Sequence, residues 1–169
     1  MKKCLFRSLV LLALLSPVLS LPVRAAEPYG YWSVATSPEG VKLGLVFPDF
    51  SPNEFAGVMF GCQPGTSAVE LVVDLPEAAP TGSEAGIGLG APGNAARYRG
   101  RVEVLQPDDR VVARAATTLD DPLFETIATA PSLSLVAGGK DMPLPVRNAD
   151  KMVRRFLAAC AGEEKPRAE

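Results

Sequence analysis

The amino-acid sequence predicts a mainly β (α+β) fold, an antiparallel β-sandwich or small barrel of about eight strands with a C-terminal helix packed on it. Short segments that alternate apolar and polar residues, separated by Pro and Gly turns, run through positions 31–147. Strands and helices do not alternate along the chain, which argues against a parallel sheet. A longer segment with helical periodicity follows at positions 148–162.

Four strands are predicted in the first half of the domain. YWSVAT and VKLGLVF flank SPEG at positions 37–40, where proline and glycine stand as a type I turn prefers. FAGVMFGC and AVELVVDL flank QPGT at positions 63–66, whose Pro-Gly centre fits a type II turn. In the fourth strand every second residue is apolar and faces inward, whereas Glu70 and Asp74 face water.

The middle of the chain is predicted to contain a long loop and then a hairpin. Positions 76–96 are rich in Pro, Gly and Ala, which is typical of a loop. Inside it, GIGLGAPG has the glycines of a dinucleotide-binding loop but lacks the preceding strand, and Pro92 interrupts any following helix, so it is predicted to be a flexible linker or lid. RYRGRVEVL and RVVARAATT then form the clearest hairpin, around positions 106–109.

Two helices and a last pair of strands complete the prediction. Asp121 is expected to cap a short helix that begins at Pro122. SLSLV and MPLPVR form the strand pair, and the second should lie at a sheet edge because proline donates no backbone hydrogen bond. Asn148 is expected to cap the final helix, and Gly162 to end it.

The N-terminus has the layout of a secretory signal peptide. A basic start, MKKCLFR, precedes an uncharged apolar run over positions 8–21, and small residues flank Arg24 at the expected cleavage site after Ala25. The run is shorter than the about 20 apolar residues that span a bilayer, and Pro17 interrupts it, which argues against a membrane anchor. The sequence therefore predicts a periplasmic or secreted protein without a membrane span after cleavage.

Cleavage after Ala25 defines the domains and the charge. Residues 1–25 are the signal peptide, 26–162 a single β-rich domain and 163–169 a disordered tail. Four of the 17 basic residues and none of the 19 acidic residues lie in the signal peptide, so the mature chain carries a net charge of −6. This balance, together with export, argues against nucleic acid as a partner.

The absence of histidine excludes whole classes of chemistry. The commonest general base, the commonest zinc ligand and every triad that needs an imidazole are missing. No catalytic residue, metal ligand or cofactor is therefore predicted, and the oligomeric state is left open.

Two cysteines, Cys62 and Cys160, remain after cleavage, and they are predicted to form a disulfide. Cys62 shares the period-two face of Val58 and Phe60, and Cys160 lies on the apolar stripe of the final helix. Two buried free thiols are the alternative. A catalytic cysteine would lack a histidine partner.

Five arginines lie in the hairpin region, and four of them form the candidate binding site. If the hairpin closes around Pro107 and Asp108, Arg101 falls directly opposite Arg114 on the outer face, with Arg99 and Arg110 nearby and Arg97 further along the strand. One interpretation is that Glu103, diagonal to Arg114, and solvent offset the repulsion. The other is an anionic ligand that binds Arg99, Arg101, Arg110 and Arg114.

Acidic doublets and N-terminal aromatics are secondary candidates. Asp108-Asp109 and Asp120-Asp121 suit calcium binding or glycoside hydrolysis, but turn and helix-cap roles explain both. The aromatic cluster could line a binding surface or fill the core of the first strand; it comprises Tyr29, Tyr31 and Trp32.

The layout resembles small exported alphaproteobacterial envelope proteins of the invasion-associated locus B type. The resemblance rests on the signal peptide, an early Trp in a strand, the FGC strand end, the Gly-rich middle and the ending PLPVRNADKMVRRFLAAC, in which a short strand precedes a helix with Phe156 and Cys160. It implies a periplasmic or envelope-associated β domain without established catalysis, and it supplies no functional residues.

These observations predict a non-enzymatic β domain that binds a protein partner or an anionic envelope component. One alternative is an inhibitor of a secreted hydrolase that presents a rigid loop at positions 76–96. A less favoured alternative is a carboxylate-dependent hydrolase, in which paired carboxylates would converge in one cleft.

Overall fold

The computed structural model describes residues 29–48, 55–76, 79–107 and 109–163. The predicted signal peptide, Asp108 of the hairpin turn and residues 164–169 of the predicted tail lie outside these ranges. Within them the strands are β1 (Tyr31–Ser37), β2 (Gly40–Val46), β3 (Val58–Cys62), β4 (Ala68–Asp74), β5 (Glu84–Ala91), β6 (Asn94–Leu105), β7 (Arg110–Thr118), β8 (Leu133–Ala137) and β9 (Lys140–Leu144), and the helices are α1 (Pro122–Thr129) and α2 (Ala149–Cys160).

The strands of the described ranges form one open antiparallel sheet in the order β1-β2-β3-β4-β7-β6-β5-β8-β9. This confirms the mainly β antiparallel fold with a C-terminal helix, and it replaces the choice between sandwich and barrel with a single continuous sheet. The sheet curves until its first strand meets the chain that follows its last. There the Trp32 backbone N–H donates to the Arg147 carbonyl at 3.3 Å, and Trp32 Nε1 donates to the Pro145 carbonyl at 2.8 Å.

Both helices pack on the same face of the sheet, here called the inner face. Alternate residues of the strands, among them Leu43, Leu71 and Leu135, are fully buried there together with the apolar sides of α1 and α2. Phe124 of α1 joins the layers, because its ring centroid lies 5.1 Å from that of Phe60 in β3 and 5.7 Å from that of Phe156 in α2. The core is therefore enclosed by the sheet on one side and the two helices on the other.

The predicted loop at positions 76–96 is wrong over most of its length. Residues Glu84–Ala91 form β5, which pairs with β6 on one side and β8 on the other. GIGLGAPG is therefore a central strand and a hairpin turn, not a linker or lid. Ile87 and Leu89 are buried on the inner face, whereas three alternating glycines leave the opposite face of the strand without side chains beyond Glu84.

The helix termini follow the prediction in part. The Asp121 side chain accepts from the Leu123 N–H at 2.9 Å and caps α1 as expected. Asn148 precedes α2 but adopts a left-handed conformation, φ 62°, and its side chain makes no capping hydrogen bond. Its amide side chain is therefore not the cap. Asn is one of the few residues that tolerate this conformation, which turns the chain from Arg147 into the helix.

Other parts of the prediction are confirmed. β9 lies at an edge of the sheet, as its prolines indicated, and Gly162, φ 81°, follows the end of α2. Neither of the two helices in the described ranges is long and apolar enough to cross a membrane.

Gly40 is the glycine that the fold requires most. Its φ of +131° disfavours any side chain, and an added Cβ would lie 2.4 Å from the Cys62 carbonyl oxygen. We expect Gly40→Ala to lower the free energy of unfolding by about 1–3 kcal/mol in urea denaturation. Gly61→Ala is the control, because a Cβ at Gly61 meets nothing within 4 Å. Equal effects of the two changes would contradict the backbone clash.

Candidate functional site

The predicted disulfide is present. Cys62 at the end of β3 and Cys160 at the end of α2 are bonded, with their Cα atoms 6.0 Å apart. Both residues are buried in the core, and the Gly65 N–H donates to the Cys160 carbonyl at 2.7 Å beside them. The bond holds the last turn of α2 against the β3–β4 turn, which is a structural role.

The hairpin of β6 and β7 has the predicted register. Arg101 is the Cα partner of Arg114, and Val102 and Val104 pair with Ala113 and Val111. Directly paired residues share a face of a sheet, so both arginines lie on the face opposite the helices, here called the outer face. The like-charge opposition that motivated the binding hypothesis is therefore real.

Arg114 is neutralised within the protein. It contacts Glu70 of β4, and its Nε donates to Glu103 Oε2 at 2.9 Å. Burial alone lowers the pKa of Arg114, but the hydrogen bonds it donates to these two carboxylates outweigh burial and raise the pKa above its ordinary value. The interpretation in which Glu103 offsets the repulsion thus accounts for Arg114, with Glu70 as a second carboxylate.

Arg110 is also held in an internal ion pair. Its Nη2 lies 2.6 Å and 2.7 Å from the two carboxylate oxygens of Asp74, whose Oδ2 also accepts from the Gly57 N–H at 2.7 Å. Two members of the predicted arginine site, Arg110 and Arg114, are therefore committed to contacts inside the fold.

Arg97, Arg99 and Arg101 differ from that pair and form what we call the arginine row. They occupy alternate positions of β6 on the outer face, and all three are exposed. No ion pair or hydrogen bond of their side chains is found among the described residues. Successive side chains on one face of a strand are about 7 Å apart, so the row spans about 13 Å.

A strip of glycine lies beside the arginine row. Gly88 and Gly86 of β5 are the Cα partners of Arg97 and Arg99, and Glu84 is the partner of Arg101. The space above Gly86 is open, since an added Cβ would meet no atom within 4 Å. The arginine row therefore borders an uncharged glycine surface at Arg97 and Arg99, and the carboxylate of Glu84 at Arg101.

The acidic doublets serve the fold. Asp121 accepts from Tyr98 Oη at 2.8 Å and from the Thr117 hydroxyl in addition to capping α1. Asp120 pairs with Thr118, and Asp109 accepts from Gln106 in the β6–β7 turn. Among the described residues, no group of three or more Cys, Asp or Glu side chains is arranged to hold a metal ion.

The Tyr98–Asp121 contact predicts how stability changes with pH. Burial and then the hydrogen bond to Asp121 raise the pKa of Tyr98 well above its ordinary value of about 10. Its contribution to stability is therefore complete below that value and is lost as the pH rises toward the folded-state pKa. We expect the stability difference between wild type and Tyr98→Phe to shrink between pH 9 and 11 in urea denaturation. A constant difference would contradict the shift.

The pKa of Asp121 is shifted downward, opposite to the shift of Tyr98. Burial alone raises its pKa, but hydrogen bonds from Thr117, the Leu123 N–H and Tyr98 outweigh burial and hold the pKa below the ordinary carboxyl value. The contribution of Asp121 to the free energy of unfolding is therefore present above its unfolded-state pKa and is lost as the pH falls through its folded-state pKa.

A groove on the outer face was missed by the sequence analysis. It has a volume of about 710 Å³ and crosses β2, β3, β4 and β7, with the lining side chains Lys42, Met59, Gln63, Glu70 and Arg114. Gly61 forms an open floor between its Cα partners Lys42 and Glu70. The period-two pattern of β2 to β4 placed these residues outward, but only the pairing of the strands shows that they adjoin.

The N-terminal aromatics separate into core and surface. Trp32 is fully buried, and Tyr31 is partly buried. Tyr29 is 58% exposed just before β1. Trp32 therefore belongs to the core, and it does not line a binding surface.

Comparison with known proteins adds no assignment. No family model, curated protein or solved structure matches the chain.

Proposed function

We propose that the protein is an exported, non-enzymatic β domain that binds an anionic envelope component through the arginine row. The observation that carries the proposal is that Arg97, Arg99 and Arg101 are exposed on one face of β6 without a described ion pair. The neighbouring Arg110 and Arg114, by contrast, have carboxylate partners. Three adjacent guanidinium groups repel one another, and a bound anion would remove that repulsion.

The net negative charge of the domain favours specific recognition of an anionic ligand over non-specific attraction of anions. A mature chain of net charge −6 repels most anions over its surface as a whole. A local row of three cations favours a ligand whose anionic groups repeat along a line at about 7 Å, the spacing of alternate residues in a strand. Phosphate or carboxylate groups on an envelope surface or polymer provide that chemistry.

Arg114 has a supporting role in this proposal. It lies opposite Arg101, and its two carboxylate partners keep its own charge satisfied. The ligand-binding set is therefore narrowed from Arg99, Arg101, Arg110 and Arg114 to Arg99 and Arg101, joined by Arg97.

Export is part of the proposal. The charge and hydropathy of residues 1–25 favour a signal peptide, and the Cys62–Cys160 disulfide is typical of proteins from oxidising compartments. The resemblance to exported envelope proteins of the locus B type points the same way.

The two alternative functions draw less support from the described residues. The inhibitor hypothesis drew on a rigid exposed loop at positions 76–96, in which residues 84–91 belong to β5 and residues 94–96 to β6. The hydrolase hypothesis needed carboxylates converging in a cleft, whereas Asp120 and Asp121 lie before α1 and Asp109 lies in the β6–β7 turn.

The proposal is tested by binding to two anionic probes at low and physiological salt. One probe is vesicles that contain phosphatidylglycerol, compared with phosphatidylcholine vesicles, and the other is polygalacturonate. We expect wild type to bind at least one probe, and Arg99→Glu/Arg101→Glu to weaken that binding about tenfold or more. Binding should weaken as salt rises, because exposed charges are screened over about 8–10 Å.

Lys151→Glu/Arg154→Glu is the matched control. It changes the net charge equally but lies on the exposed side of α2. It should bind as wild type does. Arg101→Glu gains an attraction to Arg114 but faces Glu84, so its effect on stability should stay within about 0.5 kcal/mol. Equal losses in both double variants, or no binding by wild type, would refute the arginine row as the site.

A further inference from the structure

The two edges of the sheet are protected to different degrees. β9 has the features that block edge pairing, namely Lys140, Asp141 and Pro143 within five residues, with Pro145 just beyond. β1, at the other edge, is a seven-residue strand, YWSVATS, without a charge or a proline. An uncharged edge of this length is a template for another strand.

The backbone of β1 presents hydrogen-bonding groups along this edge. The Trp32 N–H points away from β2, because it donates to the Arg147 carbonyl. Peptide groups alternate in direction along a strand, so the N–H and C=O groups of Val34 and Thr36 also point away from β2. Among the described residues they have no backbone partner, and Thr36 is exposed.

We propose that β1 pairs antiparallel with β1 of a second copy of this chain, about a two-fold axis at Ala35. In this register Val34 of each copy faces Thr36 of the other, and the outward peptide groups of these two residues form four backbone hydrogen bonds. Ala35 faces Ala35 of the second copy on the outer face, where the neighbouring side chains, Ser33 and Ser37, are also small. Two β-branched pairs on the opposite face complete the contact.

Charge favours a second copy as the occupant. β1 carries no charge, so pairing with itself opposes no like charges. The charged side chain that pairs with the centre of β1 is Lys42, the partner of Ala35 in β2. In the pair of copies the two Lys42 Cα atoms are three strand spacings, about 14 Å, apart, which exceeds the screening length at physiological salt.

The extent of the pairing is set by the fold. At the N-terminal end of β1, the Arg147 carbonyl already accepts the outward N–H of Trp32. At the C-terminal end, the turn that begins at Pro38 ends the strand. The paired segment is therefore limited to residues 33–37, so the dimer should dissociate on dilution.

The experiment is sedimentation velocity of the oxidised protein over a wide concentration range. Wild type should show a monomer–dimer equilibrium. Thr36→Pro should stay monomeric, because it removes an outward N–H that β2 does not use. Thr36→Val keeps both the N–H and the branched shape, and it should dimerise as wild type does.

Cross-linking tests the register. Ala35→Cys should form an intermolecular disulfide under mild oxidation, since Ala35 and its copy are a non-hydrogen-bonded pair, whose Cα atoms are about 4.5 Å apart and within disulfide range. Ser33→Cys should not, because it faces Ser37 of the other copy. Wild type that stays monomeric overturns the proposal, and a strand from a different protein then becomes the occupant to seek. A dimer that survives Thr36→Pro and resists cross-linking at position 35 also overturns it, because it uses another surface.

Discussion

Replacing both Cys62 and Cys160 by alanine is expected to lower the free energy of unfolding by about 4 kcal/mol. The two residues are separated by 98 positions in sequence, so the bond removes a large loop-closure entropy from the unfolded chain. Urea denaturation of oxidised wild type and the double variant, followed by tryptophan fluorescence, measures the difference.

The single variants provide the control for that experiment. Cys62→Ala and Cys160→Ala each break the same bond, so each should lose nearly as much stability as the double variant. Reductant should destabilise wild type but leave the double variant unchanged. A loss below about 1 kcal/mol, or single losses that add up to the double, would contradict the role assigned to the bond.

Trp32→Ala is expected to lower the free energy of unfolding by about 3–5 kcal/mol, the usual effect of deleting a buried large aromatic side chain. Trp32 is fully buried, and its indole N–H donates to the Pro145 carbonyl across the junction between the first strand and the chain after the last. The substitution therefore removes core volume and a contact that joins the ends of the sheet.

Trp32→Phe separates these two contributions. It retains most of the ring but leaves the Pro145 carbonyl without its donor, which should lower stability by about 1–3 kcal/mol. Tyr29→Ala is the control, since Tyr29 is 58% exposed and its removal should change stability by no more than about 0.5 kcal/mol. Equal stability of Trp32→Ala and wild type in urea would show that the junction is not needed.

Local patterns in the sequence predicted the strands and the hairpin register. The pairing of Arg101 with Arg114 followed from the turn position and period-two alternation alone, because both strands are adjacent in the chain. The sequence also predicted that Cys62 and Cys160 face the core, because each lies on an apolar pattern within its own segment.

Non-local pairing explains what the sequence could not predict. Glu70 reaches Arg114 only because β7 inserts beside β4, and strand order is not encoded in any short segment. The groove depends on the same lateral arrangement, in which Gly61 separates Lys42 from Glu70. β5 was missed for a different reason: its glycines resemble a loop in composition, although Ile87 and Leu89 carry the alternation of a strand.

The junction at Trp32 has a consequence for synthesis. A ribosome makes the chain from its N-terminus, so the residues of β1 to β4 are synthesised long before Pro145 and Cys160. Trp32 and its hydrogen-bond acceptor Pro145 are separated by 113 positions in sequence, and Cys62 and Cys160 by 98. Until Pro145 and α2 have been synthesised, Trp32 lacks its contact with Pro145, and the Cys62 thiol lacks its partner Cys160. A chain truncated before residue 145 would therefore leave the Trp32 indole N–H without its acceptor and Cys62 without its disulfide partner, however many of its strands had formed.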